Sequence, residues 1–438
     1  MATKNWSLLL LLVLNVCCLS KIFALGLEDD WLHWSEEEEA ANSWDSRHHE
    51  EKARKWPFLL EDSKHVVKTD AGEMRLVRGY ASKFAKSPIH IGFIRMEPRS
   101  LFIPQYLDSS LILFIHCGEA KIGHINKGEL VERKLKKGDI YRIEAGSAFY
   151  LINREKGRIL HIICSIDTSE SLGWHTIQSF FVAGGTYPAS VLSGFDHATL
   201  SDAFNVSEAE LGKMFTRQNN GPIIYLSSSG HPSVWSEFLE MKQHHKLAHM
   251  KRKEKGRKVG MKWIKRPICN IFDKEPDFKN DYGWSTTLDE SDYSPLEHGD
   301  VGVYLVNLNA GSMMAPHMNP RATEYGIVLR GSGVIQIVYP NGSLAMKARV
   351  EEGNVFWIPR YFPFCQIASK GGSFEFFGFT TSARDNKPQF LVGGNSLLHA
   401  MRGPEFEAAF DMSKDGLKEI INAQRESVIL PTFQEYRQ

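Results

Sequence analysis

The chain has 438 residues, 42% of them hydrophobic and 24% charged, which is too long for one ordinary core and apolar enough to bury more than one. Lys plus Arg and Asp plus Glu balance at 52 each, so no global field exists to hold nucleic acid or an anionic membrane surface. A disordered chain and a polycation are both excluded.

Residues 1–24 read as a secretory signal peptide: Lys4, an apolar run from Trp6 to Leu19, and Ile22-Phe23-Ala24 before a cleavage site. The run is too short for a comfortable membrane span and no later one is longer, so the mature chain is expected to carry no membrane anchor. Cys17 and Cys18 leave with the signal, and Cys117, Cys164, Cys269 and Cys365 remain. Their wide scatter favours buried free thiols over a disulfide framework, although three pairings stay open. Residues 25–55, with Glu36 to Glu39 and no hydrophobic period, predict a charged flexible segment.

From Trp56 onward, short apolar runs alternate with Gly, Pro and Asn-Gly, the pattern of a strand sandwich or barrel. Strands are predicted at 111–116, 140–143, 149–153 and 159–166. Between about 195 and 218, Leu200, Phe204, Leu211 and Phe215 take a helical spacing. The order then recurs. Strands are predicted at 325–329, 334–339, 345–350, 355–358 and 374–380, with Asn341-Gly342 as a type I′ hairpin turn and a helical tail from Glu405 to Arg425. Phe181-Val-Ala-Gly-Gly185 answers Phe390-Leu-Val-Gly-Gly394, and Ala203-Phe204 answers Ala409-Phe410. A period of roughly 210 residues marks a duplicated domain and not a solenoid.

The predicted organisation is an N-terminal module at 56–235, a basic linker at 236–268 and a C-terminal module at 269–432. The linker holds Lys251-Arg252-Lys253 and Arg257-Lys258, read as an exposed stretch open to proteases. His244, His245 and His249 lack a rigid setting in which outer contacts could orient metal ligands. The sequons beginning at Asn205 and Asn341 are candidate glycosylation sites.

The segment from Gly311 to Gly331, with His317, Asn319 and Glu324, resembles the first cupin motif, and Gly353-Asn-Val-Phe-Trp-Ile-Pro359 resembles the start of the second. With Tyr282-Gly-Trp284 and Gly302-Val-Tyr-Leu-Val-Asn307 upstream, the chain is similar to the vicilin (7S globulin) family, and to its vicilin-like members in particular. The resemblance implies an all-β bicupin: two double-stranded β-helix (jelly-roll) barrels, each followed by a helical arm, assembling as a homotrimer through those arms.

Catalytic cupins use two His and a Glu from the first motif and a third His from the second, leaving an open metal position. Here Asn319 stands in place of the second His, and Phe364 in place of the third, with Cys365 one residue on. In the first module Leu111 takes the Glu position and Phe149 the His position. A soft site of His317 and Cys365 with Glu324 would favour copper or zinc, and it needs a bulge to turn Cys365 inward. The competing reading makes these three buried remnants of a lost centre, so that no cofactor is required.

The resemblance and the degraded ligand sets together point to a seed storage protein, a nutrient reservoir with no enzymatic activity. It would enter the secretory pathway and end in the protein storage vacuole or outside the cell. The alternative is a small-ligand or copper-binding bicupin holding a sugar or a carboxylate in the C-terminal barrel, and behind it a germin-like metal-dependent oxidase.

Overall fold

The computed structural model describes residues 57–79, 89–173, 176–226, 268–384, 386–401 and 403–432. The signal peptide, the charged segment at 25–55 and the basic linker with its three histidines fall outside the described residues, apart from Ile268.

Short runs of β-branched and aromatic residues pair antiparallel into four sheets of seven, six, six and seven strands. Two sheets face each other in each copy and form two jelly-roll barrels. The duplication holds at the level of strand register. Leu111 pairs with Ile166 and Ile143 where Glu324 pairs with Thr380 and Ile358. Likewise Gln105 pairs with Phe149 and Phe181 where His317 pairs with Phe364 and Phe390.

The strand Phe374–Thr380 lies between two others and buries Phe374, Phe376, Phe377 and Phe379 completely. A strand that is apolar on successive residues needs cover on both faces. One face turns into its own barrel, where Phe376 lines the interior. The other meets the first barrel, where Phe377 stacks on Phe114 with ring centroids 3.9 Å apart. Ile91, Ile112 and Ile163 of the first barrel join the same core, while Leu113, Ile115 and Ile162 fill their own barrel.

The barrels also exchange edge strands. Leu59 bridges Phe356, Leu60 N–H donates to Val355 and Trp357 N–H donates to the Phe58 carbonyl, so the start of the first module extends a sheet of the second barrel. In return Cys269–Asn270 pairs with Ile140 and Asp139 of the first barrel. These edges are thus covered, and backbone groups that would be left without partners are satisfied.

Each barrel leads into a helical arm: α1 (His197–Phe204) and α2 (Glu208–Thr216) after the first, then α3 (Leu397–Ala400), α4 (Pro404–Phe410) and α5 (Lys414–Ala423) after the second. The single helical run expected at 195–218 is broken at Asn205, and the tail is broken at Asp411. Both residues are left-handed, with φ of 54° and 49°, a conformation that Asn and Asp tolerate at helix ends. Ser207 and Ser413 then cap the next helices. The returning segments Ile223–Tyr225 and Ile429–Pro431 pair back onto Ser100–Phe102 and Ser312–Met314.

The hairpin at Asn341-Gly342 differs from expectation. Pro340 fixes φ at a negative value, and in the loop only Gly342 has positive φ, at 87°. Gly342 N–H donates to the Tyr339 carbonyl, which gives a proline-led turn closed by a left-handed glycine in place of a type I′ turn. Among the described residues all four cysteines are free thiols, Cys164 and Cys365 being buried and Cys117 and Cys269 partly so.

Because each barrel holds a strand from the other's side of the linker, one cut between residues 227 and 267 leaves two fragments that stay together. Native gel filtration should show co-elution of fragments that separate on denaturing electrophoresis, and separate native elution would refute the exchange. Phe377→Ala opens a cavity between the barrels and should cost about 3–5 kcal/mol in chemical denaturation.

Candidate functional site

The second barrel encloses a cavity of about 430 Å³ whose walls include Tyr304, His317, Asn319, Glu324 and Gln366. His317 sits on the two-residue strand His317–Met318, and Glu324 opens the strand Glu324–Arg330. Asn319 builds the link between them. Its Oδ1 accepts from the backbone N–H of Arg321 at 3.0 Å and of Ala322 at 2.9 Å, tightening the turn, and its Nδ2 donates to Glu324 Oε1 at 3.0 Å. The residue in place of a metal-binding His therefore acts as a strut for the neighbouring carboxyl.

His317 is 2% exposed. Its Nδ1–H donates to the Ala315 carbonyl at 2.7 Å, which leaves Nε2 as an acceptor. Phe364 packs at a ring distance of 4.0 Å and Phe390 at 5.2 Å. Burial lowers the His317 pKa to about 4 and raises that of Glu324 to about 7. Desolvation dominates in both cases, opposed by the Ala315 hydrogen bond at His317 and by the Asn319 hydrogen bond at Glu324.

The structure brings His317 and Glu324 to one cavity and places Cys365 elsewhere. On the strand Phe364–Ala368, Phe364, Cys365 and Gln366 pair in unbroken register with Ile337, Gln336 and Ile335. No bulge corrects the parity, so Gln366 faces the cavity and Cys365 takes the opposite face, where it feels Lys347. Burial pushes the Cys365 thiol up to about 11, which keeps it protonated. The expected set of His317, Cys365 and Glu324 is thus not assembled, and among the described residues no group of three or more His, Cys, Asp or Glu is gathered as a metal would need. With Asn319 tied to the carboxyl and Phe364 covering the imidazole, these side chains do not fit the metal centre of a catalytic cupin.

Sequence reasoning missed Tyr304 and Gln366. A lone polar residue at inward parity between Phe364 and Ala368 was the signal for Gln366. For Tyr304 it was the glycine opposite: Gly378 pairs with Tyr304, and a methyl group on Gly378 would overlap the phenol ring. The first barrel shows the same positions without this chemistry. By register, Leu111 stands for Glu324, Leu151 for Gln366 and Gly92 for Tyr304, with the bulk supplied by Cys164 from the partner strand. Gln105, at the register of His317, is 1% exposed and neither atom of its amide has a partner.

The two buried groups oppose each other in their pH dependence. Glu324 stabilises the fold fully below about pH 4.5 and loses that contribution as pH rises through about 7. His317 stabilises it above 6.5 and loses that contribution as pH falls through about 4. Between 4.5 and 6.5 the slopes cancel. Glu324→Gln leaves the His317 slope alone, so its unfolding free energy should fall on acidification by about 1.4 kcal/mol per pH unit more than the wild type. Parallel denaturation curves for the two proteins across this interval would contradict it.

The family model described as "Cupin" matches residues 269–416. A vicilin-like seed storage protein of Arabidopsis thaliana is 50% identical over 415 residues, covering 86% of this chain and 81% of that protein. The crystal structure of vicilin from Corylus avellana (hazelnut) superposes with a TM-score of 0.72 at 24% identity, over 86% of this chain and all of the other. A vicilin from Solanum melongena, described as holding different anionic ligands in structurally similar pockets, gives 0.72 at 23% identity over 86% of this chain and 98% of its own. Duplicated barrels, helical arms and half-identity across most of both sequences converge: the chain belongs to the vicilin-like seed storage proteins, the bicupins of the 7S globulin family, and its function is storage.

Proposed function

We propose that the protein is a nutrient reservoir without enzymatic activity, exported through the secretory pathway and laid down as a homotrimer in the protein storage vacuole. One observation carries the reading: both barrels keep their register while Leu111, Phe149, Asn319 and Phe364 stand where a cupin enzyme needs metal ligands. Reserve protein needs dense packing and resistance to early digestion, and the exchanged edge strands supply both. No cofactor enters this role. Among the described residues no helix is long and apolar enough to cross a membrane.

The arms support assembly. Phe204 and Met214 on the first arm, and Phe410 and Ile420 on the second, are large apolar side chains that are 45–63% exposed, more than an unpartnered amphipathic helix face would carry. The two arms are different surfaces on one chain, so joining the first arm of one copy to the second arm of the next gives a head-to-tail contact, and a three-fold rotation between copies closes that contact into the trimer.

The sequons separate on the same argument. Asn205 lies between exposed Phe204 and Val206 and serves as the left-handed helix end, while Ser207 caps the next helix. A glycan there would stand on the assembly face. Asn341 lies at an exposed hairpin tip, its Oδ1 accepting from the Ser343 N–H and hydroxyl, and is the site we assign for glycosylation.

Three measurements test the reading. The protein should accumulate in developing seed and vanish during germination, and expression confined to vegetative tissue would sink the reservoir role. Phe204→Asp with Phe410→Asp should convert the trimer to monomers in sedimentation without loss of the folded circular dichroism signal. Peptide mapping of the seed protein should find a glycan on Asn341 and none on Asn205.

A further inference from the structure

A backbone N–H can only donate, so a ring nitrogen that receives one must present a lone pair. In the first barrel the Gly79 N–H donates to His90 Nδ1 at 2.9 Å, and Nδ1 is therefore bare, with the ring proton on Nε2. His90 is 7% exposed and Gly79 is buried, so the bond is made away from solvent. A second proton on this ring has only Nδ1 to occupy, where it would point at the Gly79 N–H. The bond cannot survive it.

The surroundings oppose the added charge. His90 stands in the wall of a cavity of about 810 Å³ at the mouth of the first barrel, whose charged lining among the described residues is Lys64, His65, Arg78 and His90, with no carboxylate. The carboxylates of the surrounding elements are engaged: Glu73 meets His65 at 3.2 Å, Asp167 accepts from the Ser169 N–H, and Asp108 is held by Ser171, Leu172 and Gln178. Burial first, and the Arg78 guanidinium second, hold the imidazole below its ordinary 6.5. The stability that neutral His90 contributes is thus complete above pH 6.5 and is lost as pH falls through the lowered value.

The second barrel closes the same joint without a titratable group. By register Glu290 stands for Gly79 and Gly302 for His90, and the Glu290 N–H donates to the Ala383 carbonyl at 3.3 Å. A side chain on Gly302 would strike Thr380 Oγ1 and the Ser382 carbonyl. Charge is also balanced at this mouth, where Lys274 meets Asp292 at 2.8 Å and Asp277 at 3.3 Å.

From this geometry we infer that His90 is an acid-released latch of the first barrel: a proton on Nδ1 breaks the bond to Gly79 and frees the mouth end of the strand Gly72–Val77. The pairs that loosen are those of Val77 with Ser63 and with Ile91, and repulsion of the charged ring by Arg78 and Lys64 drives the end outward. Leu76, which lines the mouth, is uncovered. A reserve protein built in this way is shut when neutral and offers a protease an opened strand in acid, without unfolding the face between its barrels. The latch goes beyond the storage role and does not depend on it.

Hydrogen exchange of the intact purified protein, read peptide by peptide at about pH 7.5 and about pH 5 and corrected for intrinsic rates, tests the latch. Protection from Leu76 to Gly79 should fall about tenfold or more in acid, while Phe374–Thr380 stays protected. His90→Asn brings an amide oxygen near the place of Nδ1 and does not titrate, so its protection should be equal at both pH values. Arg78→Gln removes an exposed charge that holds the ring neutral, so its opening should begin at higher pH. The latch is overturned if wild-type protection at Gly79 is the same at both pH values, if folded His90→Asn opens in acid as the wild type does, or if Arg78→Gln leaves the onset unmoved. The wild-type and Arg78→Gln readings decide the matter whether or not His90→Asn folds. Because exchange is read on purified protein, failure here leaves the seed accumulation and germination test untouched.

Discussion

The face between the two barrels is the constraint on which the rest of the molecule depends. Phe114 on Phe377 is its centre, and the isoleucines around them belong to a core that neither barrel owns. Sheets packed in this way must hold their register, because a one-residue slip would turn Phe377 inward and Phe376 outward. The edge strands contributed by Leu59 and by Cys269–Asn270 then fasten the pair from both sides. Two modules joined only by a tether would be free to move apart. Here each module lacks an edge without the other's strand, so the unit of stability is the pair, and the arms are held out at fixed positions from a single body.

Much of this was legible in the sequence for a physical reason. Strand runs such as Phe149–Asn153, Val355–Ile358 and Phe374–Thr380 fell within their structural bounds, since a buried strand leaves an apolar run with abrupt ends. The edge exchange was not legible: Pro57 to Leu60 is adjacent in sequence to the first module, and nothing local says that its hydrogen bonds cross to the second. The breaks at Asn205 and Asp411 were visible as residue types but were overridden by the apolar spacing on either side. Asn341-Gly342 suggested a type I′ turn, but Asn341 is not left-handed, and Pro340 takes the first central position of the turn that Tyr339 and Gly342 close.

The site was half legible. His317, Asn319 and Glu324 stand out because a motif names their positions, and the structure gives Asn319 a task that the motif does not suggest. Cys365 drew attention for its chemistry, but strand parity decided against it. Gln366 belongs to no motif, and Tyr304 stands in a segment that marks the family without pointing to a site. Their importance comes from being polar, buried and unpartnered in a barrel whose twin is apolar at the same places, and that comparison requires register, which only the structure supplies.

Tyr304 and Gly378 on one side, Gly92 and Cys164 on the other, are mirror solutions to a single volume. In the second barrel the bulk stands on the upstream strand and the glycine on its neighbour; in the first the order is reversed. The two gene halves can therefore no longer trade sequence piecemeal. A recombination tract that copied one of these strands between halves without its neighbour would bring two side chains into the same space, or leave the space empty. At this pair the two repeats have become sterically incompatible, and a change on either strand requires a matching change on its neighbour.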